Sequence, residues 1–153
     1  MFIEDDELRD LYKTASEEHL QKLEAGLLLL ERNPEDLAPL EELLREAHSL
    51  KGDSRMLGVK EVESLIHQIE HIFGQIQRGE QQISPDLCDR LYRGLDAIAN
   101  LVREAVTGNS SGIKAFQVLA ILMGAKQSPV ERDGGASGAS GGSGDGGASG
   151  ASG

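Results

Sequence analysis

The sequence predicts an all-α fold: an antiparallel up-down four-helix bundle with a short fifth helix at its C-terminal end. Apolar residues recur at helical spacing in four successive segments of bundle length, joined by short connections. Good helix formers run throughout, with little Thr or Tyr. Aromatics make up only 3% and there is no Trp, so aliphatic side chains, chiefly Leu and Ile, must build the core.

The first helix is expected from about Asp5 to Glu31, with Leu8, Leu11, Ala15, Leu20, Leu23, Leu27 and Leu30 inward. Asn33-Pro34 ends it and is expected to open the second, with Asn33 as cap and Pro34 in the first turn, where its missing N–H costs nothing. That second helix reaches about Met56 on a stripe of Leu37, Leu40, Leu43, Leu44, Ala47 and Leu50, and Gly58 interrupts it. The third spans about Lys60 to Gln77, burying Val62, Leu65, Ile66, Ile69, Phe73 and Ile76, with Gly79 as its stop. Ser84-Pro85 opens the fourth, which carries Leu87, Leu91, Leu95, Ile98, Leu101, Val102 and Ala105 to about Val106. After the turn cluster Thr107–Gly112, a short fifth helix from about Ile113 to Met123 has Phe116, Leu119, Ile121 and Leu122 to bury.

Residues 1–126 are thus expected to form one domain, and 127–153 a flexible Gly/Ser/Ala-rich tail. From Gly134 onward the chain holds only Gly, Ala, Ser and one Asp, with nothing to offset the entropy of ordering. Such a tail is either an inter-domain linker or a cloning remnant.

The net charge of −11 would repel nucleic acid and anionic lipid alike. No apolar run reaches membrane-span length, and the start MFIEDDELRD is too acidic for a signal peptide. A cytoplasmic location is the expectation. The single cysteine, Cys88, forms no internal disulfide and has no visible base to activate it.

The chemistry concentrates on the second helix. His48, Lys51, Gly52 and Arg55 stand at i, i+3, i+4 and i+7 and share one face, beside the apolar stripe rather than in it. The imidazole should therefore reach solvent. A neutral imidazole is a nucleophile near pH 7 and is able to take and pass on a phosphoryl group. Lys51, one turn away, can offset charge on phosphoryl oxygens. Gly52 is costly inside a helix, and its place beside His48 suggests clearance for a partner's active site. On the third helix His67 and Glu70, at i and i+3, lie on an edge that faces His48 if the two helices are antiparallel neighbours. Glu70 would then accept a hydrogen bond from the His48 ring and leave the other nitrogen free.

Ala47-His48-Ser49-Leu50-Lys51-Gly52, then Met56-Leu57-Gly58, then His67-Gln68-Ile69-Glu70, resembles the histidine phosphotransfer domain of CheA-type chemotaxis histidine kinases. The resemblance runs from the first helix to the fifth. It implies that His48 accepts phosphate from ATP through a separate kinase domain and donates it to an aspartate of a response-regulator receiver domain. It places assisting roles on Lys51, His67 and Glu70, and implies that ATP and Mg2+ serve the partner domains while this domain binds no cofactor. Asp53-Ser54-Arg55 departs from the small residues more usual there, which bears on partner choice: Gly52 and Arg55 belong to the expected partner surface.

Two other readings compete. His67-Gln68-Ile69-Glu70-His71 is an H-x-x-E-H string, the pattern of inverted zinc peptidases. Such an enzyme needs a third protein ligand and a substrate cleft, for which a small bundle offers little room; His48 or a carboxylate would complete a site only by accident, so no metal site is expected. A plain interaction bundle would have no reason to place His48 and Lys51 on an exposed strip with Gly52. His19 has no partner visible in sequence and reads as a surface residue.

Overall fold

A computed structural model describes residues 1–125; the expected tail, 127–153, lies outside the described residues. Five helices follow in order: α1 (Asp6–Arg32), α2 (Pro39–Met56), α3 (Lys60–Gln77), α4 (Pro85–Thr107) and α5 (Ala115–Leu122). α1 packs on α2 and α4, and α3 on α2 and α4, so the four long helices close a ring around one core. α5 lies across α3 and α4.

Side-chain caps account for part of the punctuation, at Ser84 as expected and also at Asp5. Ser84 Oγ accepts from the Leu87 N–H at 3.1 Å, and Asp5 Oδ1 from that of Leu8 at 3.0 Å. Gly79 takes φ 78° just past α3, a conformation a side chain would strain.

The start of α2 is a correction. Asn33-Pro34 does not open it; residues 33–38 form a turn in which the Asp36 N–H donates to the Asn33 carbonyl at 3.1 Å. Pro39 stands in the first turn instead. A helix begun at Pro34 would have carried Pro39 in its interior, where the ring clashes with the carbonyl four residues back.

The inward faces of α3 and α4 are as expected, every named residue being buried. α1 differs in its first half. Leu8 and Leu11 are exposed, and Tyr12 and Ser16 turn inward in their place. The Tyr12 hydroxyl and Ser54 Oγ form a buried hydrogen bond at 2.8 Å between α1 and α2. Burial pushes the Tyr12 phenol up to about 12, the Ser54 bond only partly opposing it. Leu37 is exposed because it precedes α2, and Phe116 is 83% exposed rather than buried. Leu122 is the fully buried residue of α5, and Ala115, Val118 and Leu119 pack half-buried against the core. Close approach of α1 to α2 depends on Gly26, where a Cβ would stand 2.6 Å from Leu43 Cδ2.

Candidate functional site

α2 and α3 run antiparallel around a turn centred on Gly58, whose φ of 75° suits glycine. Their apolar stripes, Ala47 and Leu50 on α2 and Ile66 and Ile69 on α3, are buried against the core. That fixes the rotation of both helices and leaves the polar edges beside the stripes facing each other. Glu70 on α3 meets two α2 side chains there.

His48 Nδ1 stands 3.1 Å from Glu70 Oε2. A carboxylate only accepts, so the neutral ring carries its proton on Nδ1 and keeps the lone pair on Nε2. The His48 side chain is 72% exposed, and Nε2 has no hydrogen-bond partner among the described residues. Lys51 Nζ lies 2.6 Å from Glu70 Oε1. Oε1 is shielded from solvent and makes no well-aligned hydrogen bond, so the Lys51 approach is a charge contact. Burial leaves Lys51 only 15% and Glu70 22% exposed, so the lysine turns in toward the carboxylate rather than out to solvent. Partial burial pushes the Glu70 carboxyl up, but the close Lys51 ammonium and the hydrogen bond from His48 outweigh it and hold it below the ordinary carboxylate value.

The structure thus brings His48, Lys51 and Glu70 together. His67 does not join them by a hydrogen bond: it is exposed on α3, one turn before Glu70, and its ring has no partner among the described residues. Gly52 is exposed, and nothing within 4 Å would meet a Cβ there, so no packing neighbour requires a glycine. Arg55 Nε pairs with Glu63 Oε2 at 2.6 Å, along the same α2–α3 seam. Of the H-x-x-E-H string, Glu70 is spent on His48 and Lys51. Among the described residues no group of three or more His, Cys, Asp or Glu side chains is placed to hold a metal ion.

A family profile, that of the Hpt domain, matches residues 7–104. The chain belongs to the Hpt domain family. Among its relatives, the chemotaxis protein CheA of Bacillus subtilis is 33% identical over 113 residues, covering 74% of this chain and 17% of that protein. This Hpt domain therefore spans about a sixth of the length of that relative. The solution structure of the histidine phosphotransfer domain of CheA superposes with a TM-score of 0.69 at 30% identity, covering 77% of this chain and 90% of that one. The phosphorylated P1 domain of CheA3, in its crystal complex with CheY6 from R. sphaeroides, has a TM-score of 0.68 at 27% identity, covering 78% and 94%.

One arrangement near the site escaped sequence reasoning. His19, on α1, is not a free surface residue: its Nδ1 lies 2.6 Å from Glu46 Oε1 and its Nε2 3.4 Å from Asp53 Oδ2. Lys22 Nζ stands 3.8 Å from the other Glu46 oxygen, so this buried carboxylate is flanked by two basic side chains of α1. Glu46 interrupts the apolar spacing of α2 at an inward position, and a carboxylate buried there requires a partner. That was the available signal, though it could not say which helix would supply the base.

Proposed function

We propose that this domain is a phosphoryl carrier. His48 takes the γ-phosphoryl group of ATP held by a CheA-type kinase domain, and the phosphohistidine passes it to an aspartate of a response-regulator receiver domain. The observation that carries this reading is an exposed imidazole whose Nδ1 is tied to Glu70 while Nε2 stays free. The likeness to a phosphorylated P1 domain complexed with CheY6 supports the second partner.

The steps balance on this chain's own atoms. The Nε2 lone pair forms the N–P bond as the bond from phosphorus to the bridging oxygen breaks, and ADP leaves with that electron pair. The ring keeps its Nδ1 proton and becomes cationic, a charge that Glu70 faces at hydrogen-bond distance. On transfer, the receiver carboxylate attacks phosphorus, the N–P bond breaks, and neutral imidazole returns. Glu70 orients the ring and selects its tautomer. Lys51 holds the second Glu70 oxygen, and its charge, one turn from His48, offsets that of the phosphoryl oxygens. His67 assists from the exposed edge of α3. Gly52 leaves clearance for the partner's active site, and Arg55 belongs to the same partner surface.

In this reading ATP and Mg2+ are supplied by the partner domains, and this domain binds no cofactor. It is a relay and not a catalyst by itself, since positioning and charge stabilisation of the transferring group come mainly from the partner. Residues 1–126 are the carrier and 127–153 a tether between domains. Among the described residues no helix is long and apolar enough to cross a membrane, which suits a cytoplasmic chemotaxis-type signalling protein.

Incubation with a CheA-type kinase domain and labelled ATP tests the assignment. Acid-labile, alkali-stable label is expected on the wild type and none on His48→Gln. Label retained by the variant removes His48 from the mechanism.

A further inference from the structure

The H-x-x-E-H string leaves two of its members unused. Glu70 is turned toward α2 and engaged on both oxygens. His67 and His71 remain exposed on α3, one turn apart and well inside a helix that runs to Gln77. Side chains at i and i+4 of a helix have Cβ atoms about 5–6 Å apart. Two imidazoles at that spacing can close on one ion at the roughly 2.0–2.1 Å of a zinc–nitrogen bond without unwinding the helix.

We propose that His67 and His71 form a two-imidazole site for a borderline transition-metal dication, Zn2+ or Ni2+, on the outer edge of α3. Nitrogen ligands select such ions over the hard cations Mg2+ and Ca2+. Both rings already face solvent, so binding needs no desolvation of a buried site. The absence of a third protein ligand among the described residues means that water completes the coordination sphere. The surroundings favour positive charge. The cations on this part of the molecule are engaged by carboxylates, Lys51 by Glu70 and Arg78 by Glu80. The carboxylate of Glu80 lies within electrostatic reach of His71; it sits below its ordinary value mainly through its hydrogen bond and charge pairing with Arg78, with a lesser part from His71. The site differs from a zinc-peptidase centre because its intervening glutamate is not free to act as a base.

Calorimetric titration of the full chain with ZnCl2, and separately NiCl2, at slightly alkaline pH tests the site. One ion per chain is expected. Affinity should fall at least tenfold in both His67→Ala and His71→Ala and stay unchanged in His48→Ala and His19→Ala. Both ligands are exposed, and unchanged thermal unfolding of the two alanine variants will show that the bundle is intact. NMR of the imidazole protons should show the His67 and His71 signals moving together on titration. Unaltered binding in His71→Ala, or no binding by the wild type, would overturn the proposal. So would loss of binding in His48→Ala, which would make the phosphotransfer cluster itself the ligand. One ion per two chains would also overturn it, because the histidines would then be bridging copies.

Discussion

Replacing Gly52 by Ala separates stability from function in a way few substitutions allow. The residue lies in the body of α2, is exposed, and has no atom within 4 Å of where its Cβ would stand. The added methyl therefore clashes with nothing and buries nothing. What remains is backbone entropy and helix propensity, which favour Ala over Gly by about 0.8–1 kcal/mol in a helix interior. For a domain of this size that corresponds to a rise in Tm of roughly 3–5 °C. If the glycine instead provides room for a partner's active site beside His48, the same methyl opposes docking. One misplaced methyl group at a fitted surface is worth about 1–3 kcal/mol, so kcat/KM for phosphorylation by the kinase domain should fall roughly tenfold or more. Thermal unfolding followed by circular dichroism and single-turnover labelling measure the two effects on one protein sample. A lower Tm would refute the open-space geometry. A raised Tm with an unchanged labelling rate would refute the clearance role and leave the glycine without a function. Gly26→Ala supplies the contrast: the methyl would stand 2.6 Å from Leu43 Cδ2 and 2.9 Å from its Cγ, so overpacking of about 1–3 kcal/mol should outweigh the same propensity gain and lower Tm.

Three further outcomes are expected. Glu70→Ala should slow phosphorylation of His48 by about tenfold, the worth of one charge-assisted hydrogen bond, without unfolding the bundle; an unchanged rate removes Glu70 from the mechanism. Tyr12→Phe should cost about 1–3 kcal/mol in chemical denaturation because it strands the buried Ser54 hydroxyl, whereas adding Ser54→Ala should recover part of that loss; strict additivity of the two single changes would argue against the bond. Because the Glu70 carboxyl is held below its ordinary value, its ionised form stabilises the fold above the unfolded value of 4.5, and that contribution disappears as pH falls through the lower folded value. Stability of Glu70→Gln measured on descending pH should fall less steeply than wild type in that window, and parallel curves would show that the pairing with Lys51 and His48 adds nothing to stability.

Much of this molecule was legible from residue order. Helical spacing placed α3 and α4 with their inward faces correct, because both carry a dense aliphatic stripe that only one rotation can bury. The same argument put His48, Lys51, Gly52 and Arg55 on one edge of α2 and Glu70 on the facing edge of α3. A site built of positions adjacent to strong stripes inherits their orientation. Periodicity was weaker where the stripe was weaker. At the start of α1, Leu8 and Leu11 compete with Tyr12 and Ser16, and no local rule chooses between them. The choice depends on Ser54, 42 residues away, which accepts or donates the buried hydrogen bond that brings Tyr12 inward. The first turn of α2 was a different failure: Pro34 and Pro39 are both acceptable helix starts taken singly, and only their joint effect on the i−4 carbonyl selects the second.

The sequence by itself therefore determined the helix count, the core-facing residues of the strongly amphipathic helices, and the side of the bundle on which His48 stands. These follow from local spacing and from the need to bury aliphatic surface. Tertiary structure alone decided which polar groups meet. It turned Lys51 inward onto Glu70, left His67 and His71 outside, and brought His19 of α1 between Glu46 and Asp53 of α2. Burial is a property of one residue in its periodic pattern, but a hydrogen bond or ion pair between helices depends on the rotation, offset and separation of two elements, and those are set by packing that no single segment contains.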